Sequence, residues 1–209
     1  MKLCPAIFPA FLVLIMAGLI CPLAGCLSQP HPNKVSFALE AGGDEGAVPK
    51  TPLKRRTLLA ATVTAAAGFD NRGLVYKVGP EQYESDFYNE FAAPPARLLA
   101  DQAAQYLDRR SLKVRAVKSP GLVIAEFGLE TYLEAIYGDF TVDPPEAVIA
   151  IRFTLNDLRP VAPRVLLDGT YRQRRPLAAK DPVSLVTAMN EALSAILADL
   201  RRDIDKAIR

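Results

Sequence analysis

The sequence predicts an α+β fold in which two helices pack on a mainly antiparallel sheet. Three observations support this class. Strand-like and helix-like segments follow one another in the order strands, helix, strands, helix, which is typical of α+β domains. The segment 82–91 alternates with a period of two, as a half-exposed strand does. The segment 181–209 carries an apolar stripe at spacings of three and four, as a helix packed on a core does.

The chain begins with an apolar segment, residues 6–23, that has no charged residue and follows Lys2. A positive start, an apolar middle and small residues at the end indicate a secretory signal. This segment ends in Leu-Ala-Gly-Cys at 23–26, the pattern of a bacterial lipoprotein signal. The small residues admit the protease and the Cys26 thiol takes the lipid. We therefore predict a signal peptide over residues 1–25 and lipidation at Cys26.

Two other interpretations of this segment stay open, a transmembrane anchor and an ordinary signal peptide that happens to precede a cysteine. The apolar run has about 18 residues, the short end for a membrane span, and three prolines lie in or beside it. Cleavage before Cys26 would remove 25 of the 209 residues, including Cys4 and Cys21. No disulfide could then form within the mature domain, although the periplasm permits disulfides.

Residues 26–34 contain Pro30 and Pro32 and are predicted to form a tether, after which residues 35–209 form one periplasmic domain. About eight residues reach at most about 28 Å, so the domain should stay close to its membrane. In many Gram-negative lipoproteins an aspartate after the modified cysteine signals retention in the inner membrane. Leu27 occupies that position here, which favours the outer membrane, with the domain facing the periplasm.

The first half of the domain is predicted to contain four strands, one loop and one helix. The strands are an edge strand at 35–39, a buried strand at 57–66, a short strand at 74–78 and the alternating strand at 82–91, and the loop covers 41–52. In the alternating strand Tyr83, Ser85, Phe87, Asn89 and Phe91 share one face, and Glu84, Asp86, Tyr88 and Glu90 share the other. Pro94 and Pro95 then open a helix that runs to about Arg109, because proline is tolerated in a first turn.

The second half is predicted to contain further strands and the last helix. Strands are expected at 112–117, 147–155 and 164–174, and residues 121–137 form either two strands or one strand bent near Gly128. Asp181 is a good N-cap and Pro182 a good first helical residue. The apolar stripe of this helix is interpreted as core rather than as a surface for a partner helix, and it consists of Val186, Met189, Leu193, Ile196, Leu197, Leu200 and Ile204.

Charge and composition give no argument for nucleic acid as a partner. The formal net charge is +2, and carboxylates are nearly as many as cations. The arginines at 109–110 and 172–175 are therefore interpreted as solvated faces, with an anionic partner as the open alternative. A chain of this size can be stabilised by its hydrophobic core.

No set of residues predicts an active site. The only histidine, His31, lies in the tether, where it could not be held in catalytic geometry, and neither zinc-ligand spacing nor a glycine-rich phosphate loop occurs. The carboxylates with helical spacing, namely Asp199, Asp203, Glu126, Glu130 and Glu134, are interpreted as exposed charges rather than an acid/base pair. The aromatic residues Tyr132, Tyr137 and Phe140 either edge a lipid groove or belong to the core. The sequence thus predicts no catalytic residue, no cofactor and no metal.

Several stretches, taken in order, carry a resemblance to a known family. They are the lipobox cysteine with the extended segment 35–39, the strand–turn–strand at 65–76, the tyrosine-rich strand 83–91 with the small residues and prolines at 92–99, and Asp181-Pro182 before the last helix. In these features the chain resembles the ABC-type transport auxiliary lipoproteins, partners of proteobacterial lipid and solvent importers with mammalian-cell-entry domains. Phe91 is a departure, since many members have tryptophan there.

The resemblance implies an α/β periplasmic domain that is not an enzyme and that works beside an ABC permease and its ATPase. The other implied partner is a shuttle protein with a mammalian-cell-entry domain, and the cargo is phospholipid moved between the two membranes. The alternatives are a structural or assembly lipoprotein that does not handle lipid, and a lipoprotein enzyme, which the missing residues disfavour. A homo-oligomer stays open. The shuttle is expected to dock on a strand edge or on the tyrosine-rich strand, where exposed Tyr88 alternates with acidic neighbours.

Overall fold

Eight strands and two helices make up the part of the chain that the computed structural model describes, residues 33–42, 54–119, 121 and 124–208. The predicted signal peptide, Cys26, His31 and most of the tether and of the loop at 41–52 lie outside these residues. The strands are β1 Val35–Phe37, β2 Arg56–Ala65, β3 Gly73–Lys77, β4 Tyr83–Phe91, β5 Val114–Val117, β6 Phe127–Asp139, β7 Glu146–Asp157 and β8 Arg164–Pro176, and the helices are α1 Pro95–Arg110 and α2 Pro182–Ala207.

The eight strands form one sheet with β6 at its centre. On one side β6 pairs antiparallel with β7, which in turn pairs antiparallel with β8. On the other side β6 pairs in parallel first with β2, as far as Leu133, and then with β3 at Gly138 and Asp139. The sheet therefore divides beyond β6: β5 continues from β2, and β4 followed by β1 continues from β3.

The long pairings of this sheet are antiparallel, because β7 is antiparallel to both neighbours over its whole length. The parallel pairings are shorter: the longest joins Leu58–Ala65 of β2 to Phe127–Leu133 of β6, and the contact of β1 with β4 covers only three residues. Both helices pack on the sheet and contribute to the main core. The predicted α+β fold, with a mainly antiparallel sheet and two helices packed on it, is confirmed.

The strand β6 is one strand, and its irregularity lies between Leu133 and Ala135 rather than near Gly128. Before this bulge the alternate residues Phe127, Leu129 and Leu133 belong to the core beneath the helices, and after it Ile136 does. Ala135 and Tyr137 belong instead to a second apolar cluster with Val75, Val148 and Ala150. An inserted residue exchanges the two faces of a strand, so the bulge lets β6 line both clusters.

The helix α2 begins as its sequence predicts. The Asp181 carboxylate accepts a hydrogen bond from the Ser184 backbone N–H at 2.8 Å, and Pro182 is the first helical residue. By length and composition α2 is the one described helix that could cross a membrane. Its apolar residues are buried in the main core, however, and each predicted member of the stripe is at most 6% exposed: Val186, Met189, Leu193, Ile196, Leu197, Leu200 and Ile204.

Two polar contacts tie α2 to the rest of the domain. The Tyr171 hydroxyl of β8 donates to Asp203 at 2.9 Å, and the buried Ser111 hydroxyl, just after α1, donates to Asp205 at 2.6 Å. Ser111 Oγ also accepts hydrogen bonds from the backbone N–H groups of Lys113 and Val114. Because these hydrogen bonds hold the chain in a turn after Ser111, β5 starts at Val114. The alternation of residues 112–117 predicted a start at 112.

Candidate functional site

The strand β4 leaves regular sheet geometry at residues 86–89, which we call the aromatic bulge. Val75 of β3 lies opposite Ser85, yet Gly73, two residues earlier, lies opposite Glu90. The excess residues of β4 therefore protrude from the sheet. They include Phe87, which is 68% exposed, and Tyr88, which is 42% exposed. The two rings contact each other edge to face, with centroids 5.2 Å apart.

The Asp86 carboxylate holds the aromatic bulge in place. Oδ1 accepts the backbone N–H groups of Tyr88 at 2.8 Å and Asn89 at 2.9 Å, and Oδ2 accepts the Asn89 amide at 2.8 Å and the Tyr76 hydroxyl at 3.0 Å. Partial burial by itself raises the pKa of Asp86, but the hydrogen bonds from Asn89, Tyr88 and Tyr76 outweigh it and lower the pKa below its usual value. The carboxylate is therefore ionised at neutral pH and fixes both aromatic residues in the exposed position.

Gly73 lies directly against the aromatic bulge. A Cβ at this position would lie 2.7 Å from the Asp86 carbonyl oxygen and would also overlap Ser85 Oγ. Because the Asp86 carbonyl oxygen belongs to the backbone, a side chain at position 73 could fit only if the bulge moved. Glycine is thus required here for the close approach of β3 to β4.

We expect Gly73→Ala to lower the free energy of unfolding by about 1–3 kcal/mol, the usual cost of forcing extra atoms into a packed site. Chemical denaturation of the purified protein measures this loss. Gly169→Ala in β8 is the matched control, since a Cβ there meets nothing within 4 Å, and its effect should stay within about 0.5 kcal/mol. Equal stability of the two variants would show that the bulge gives way without cost.

The start of the domain lies beside the aromatic bulge. The Lys34 ammonium lies 4.2 Å from the centroid of the Phe87 ring and 3.7 Å from the Glu90 carboxylate. Arg72 pairs with the same carboxylate at 2.9 Å and donates to the Phe91 carbonyl at 3.0 Å. Lys34 is the last residue of the predicted tether, and it lies beside the exposed aromatic pair.

A second aromatic group, the outer aromatic cluster of Phe69, Tyr83 and Tyr137, includes the first residue of β4. The Phe69 and Tyr137 rings stack with centroids 6.1 Å apart, and Tyr83 meets Tyr137 edge to face at 5.5 Å. Burial is the main cause that raises the pKa of Tyr137, and the neighbouring Tyr83 raises this pKa further. Tyr83 itself is 49% exposed, so the cluster presents one phenol ring to solvent.

The edge of β4 is largely open. Its pairing with β1 is limited to residues 89–91, so in the part of the chain that the structure describes no strand covers that edge over 83–88. A strand edge of this kind offers unpaired N–H and C=O groups to another chain. The tyrosine-rich strand therefore combines two exposed aromatic groups with an edge open to a partner.

An open cleft of about 460 Å³ lies between β2 and the start of α1. Its apolar lining is made of small residues, and its polar residues include Asp70, Arg97, Asp101 and Lys118. Lys118 and Asp101 form an ion pair at 2.7 Å. Sites for small molecules have volumes of this order. A second open cleft, which includes Phe87 and Lys34, shares Asp70 and Pro94 with the first.

The carboxylates considered as acid/base candidates bind to separate partners. Asp199 pairs with Arg202, and Asp203 accepts from Tyr171. The three glutamates contact different groups: Glu126 contacts Arg56, Glu130 contacts Asn156 and Glu134 contacts Thr170. Among the described residues, no group of three or more His, Cys, Asp or Glu side chains is placed to hold a metal ion.

The three aromatic residues considered for a lipid groove lie in different surroundings. Tyr137 is buried in the outer aromatic cluster, Phe140 contacts Tyr76 edge to face at 5.3 Å, and Tyr132 is exposed on β6. The sequence interpretation missed the aromatic bulge, because it placed Phe87 and Tyr88 on opposite faces of a regular strand. The adjacent aromatic pair was the available signal, since a regular half-exposed strand buries only one of two neighbours.

Comparison with known proteins gives both family-level and fold-level matches. A model of the ABC-type transport auxiliary lipoprotein component matches residues 37–200. A crystal structure of an uncharacterized protein superposes with a TM-score of 0.66 at 17% identity, covering 82% of this chain and 99% of that one. The structure of protein XCC0632 from Xanthomonas campestris, of the DUF330 family, superposes with a TM-score of 0.62 at 16% identity, covering 73% and 84% of the two chains. No curated protein matches the sequence.

Proposed function

The chain belongs to the family of ABC-type transport auxiliary lipoprotein components, and on this basis we propose that it is the lipid-anchored accessory of an ABC system that carries phospholipid between the two membranes. The match over residues 37–200 is the observation that carries the proposal. In this proposal the chain catalyses no reaction. An ABC permease with its ATPase supplies the energy, and a shuttle protein with a mammalian-cell-entry domain carries the lipid.

The anchor in this proposal is Cys26, acylated after removal of residues 1–25, and residues 26–34 link it to the domain at 35–209. Several acyl chains make such attachment stable, since each buried methylene contributes about 0.8 kcal/mol. Leu27 after the modified cysteine supports the outer membrane as the site of attachment. The domain then faces the periplasm, where a shuttle can reach it.

We propose the open edge of β4 at residues 83–85, together with Tyr83 of the outer aromatic cluster, as the dock for the shuttle. An extended segment of the partner can add to an unpaired edge, and exposed tyrosine is a frequent anchor of protein interfaces. Lys34 contacts Phe87, so β4 lies on the tethered side of the domain. A shuttle that delivers lipid to the anchoring membrane must approach this side.

The test is the affinity of the purified, acylated protein for the shuttle protein of the same organism. We expect Tyr83→Ala to weaken binding at least about tenfold, as the loss of an aromatic interface anchor does. Val165→Ala is the control, because Val165 is an exposed residue on β8, at another edge of the sheet, and it should bind like the wild type.

Deletion of the gene should raise sensitivity to detergents and lipophilic compounds and should change envelope lipid. If the purified protein captures neither the shuttle nor the permease, and deletion leaves envelope lipid unchanged, the transport proposal is wrong. A structural or assembly lipoprotein that does not handle lipid then takes its place. Equal loss of binding in Tyr83→Ala and Val165→Ala would leave transport intact and reject this docking surface.

A further inference from the structure

We propose that the aromatic bulge inserts into the surface of the membrane that anchors the chain, with the Phe87 ring at the acyl boundary and the Tyr88 hydroxyl among the headgroups. The inference rests on the proposed acylation of Cys26. It goes beyond that anchor because it gives the domain a second membrane contact. Two points of contact fix the orientation of the domain, whereas a tether alone leaves it free to rotate.

The protein holds the two rings outward instead of merely leaving them uncovered. The Asp86 carboxylate accepts hydrogen bonds from the backbone of Tyr88 and Asn89, and Gly73 brings β3 against the base of the bulge. A regular strand would turn alternate side chains to opposite faces, and only the bulge exposes both neighbours. A tyrosine ring, with an apolar body and a polar tip, favours the membrane interface, and phenylalanine adds apolar area that can be buried at the acyl boundary.

The position of the bulge points to a membrane rather than to a distant partner. Lys34, which lies over the Phe87 ring at 4.2 Å, is eight residues from Cys26, and such a segment spans at most about 28 Å. The acylated end therefore keeps the bulge close to the bilayer. Because the two contacts belong to one chain, the second forms at a high effective concentration, so even one aromatic pair suffices.

Charges around the bulge indicate that the contact is apolar. The cations Lys34 and Arg72 both pair with Glu90, and Asp86 adds a further negative charge beside Phe87. Among the described residues around the bulge, no excess of positive charge remains that would bind anionic lipid, as polybasic segments do. Insertion should therefore be as strong in zwitterionic as in anionic vesicles, and salt should not weaken it.

The chain contains no tryptophan, so Phe87→Trp introduces a unique fluorophore at the bulge. The acylated Phe87→Trp protein is reconstituted into vesicles of phosphatidylethanolamine and phosphatidylcholine, with and without brominated acyl chains. We expect its emission to shift to the blue and to be quenched by the brominated lipid. Acylated Val165→Trp on β8 is the matched control, and its emission should stay that of a solvent-exposed indole.

A second variant tests whether the bulge presents the ring. Adding Asp86→Ala to Phe87→Trp removes the acceptor of the bulge hydrogen bonds and should reduce the quenching, with circular dichroism confirming that the domain stays folded. Unchanged quenching in the double variant would contradict the role given to Asp86 and with it the proposal that a built bulge orients the domain.

The remaining outcomes separate this inference from the proposed function. If the protein floats with the vesicles but the indole of Phe87→Trp is not quenched, or if it is quenched no more than the indole of Val165→Trp, the anchor stands and the inference is wrong. If the emission of Phe87→Trp shifts only on addition of the purified shuttle, the bulge is a protein dock. If that emission shifts with protein concentration in the absence of lipid, the bulge binds a second copy. If the protein does not float at all, the anchor and the inference fall together.

Discussion

Leu193→Ala is expected to lower the free energy of unfolding by about 2–5 kcal/mol. Leu193 is fully buried in the middle of α2, within the core that both helices form with the sheet. Truncation would remove its apolar burial and leave a cavity, and both losses add because surrounding side chains relax only partly. The measurement is chemical denaturation of the purified domain. The dependence of the unfolding free energy on denaturant concentration should be the same for the wild type and the variant, so that the shift of the midpoint gives the loss of stability.

Val183→Ala provides the control within the same helix. Val183 lies in the first turn of α2 and is 64% exposed, so its truncation should change the stability by less than about 0.5 kcal/mol. A loss that small for Leu193 itself would show that the stripe of α2 does not serve as core. The length and hydropathy of α2 would then have to be explained by a partner helix or a membrane.

The helix α2 could be predicted almost completely because its signals are local. The spacing of its apolar residues defines one face, and Asp181 and Pro182 define its start within two neighbouring residues. Each signal involves residues that are close in sequence and that interact in the helix itself. The structure therefore confirms the start, the buried stripe and the use of the helix as core.

Strand positions could also be predicted, but their partners could not. Alternation identifies β4 and β5, yet nothing in the strand segments specifies that β2 and β3 share one side of β6. The bulge at Leu133 and Ala135 is equally hidden, because apolar residues continue along β6 on both sides of it. Register is set by pairing between segments far apart in the chain, and a one-residue change reverses the faces of a strand.

The candidate site likewise has one part that local sequence predicts and one part that depends on pairing between distant segments. The acylation of Cys26 is predicted from four adjacent residues, and it stays a prediction because Cys26 lies outside the described residues. The aromatic bulge depends on Gly73 and Tyr76 in β3 as well as on Asp86 in β4. From the sequence of β4 alone, Phe87 belongs on one face and Tyr88 on the other. Only the shifted register of β3 against β4 exposes both.

Cys26→Ala is expected to abolish acylation and, with it, function. The lipobox places the cleavage before Cys26, and no other cysteine remains in the mature chain, so no thiol would be left to acylate. The variant should accumulate as an uncleaved precursor or as a form without lipid, which mass spectrometry of the N-terminus distinguishes. Detergent sensitivity of the strain should equal that of the deletion, because a chain without lipid is not concentrated at the membrane where it meets the shuttle.

The other two cysteines supply the control. Cys4→Ala and Cys21→Ala lie within the predicted signal peptide, so the mature proteins should begin at an acylated Cys26 and support wild-type resistance. An intact Met1 on the wild-type protein would contradict the anchor and favour the transmembrane interpretation, whereas a cleaved protein with an unmodified Cys26 would contradict it in favour of an ordinary signal peptide. Full resistance in a strain whose Cys26→Ala protein is free in the periplasm would show instead that the domain reaches its partners without a lipid. The short tether would then no longer explain how a weak dock becomes productive.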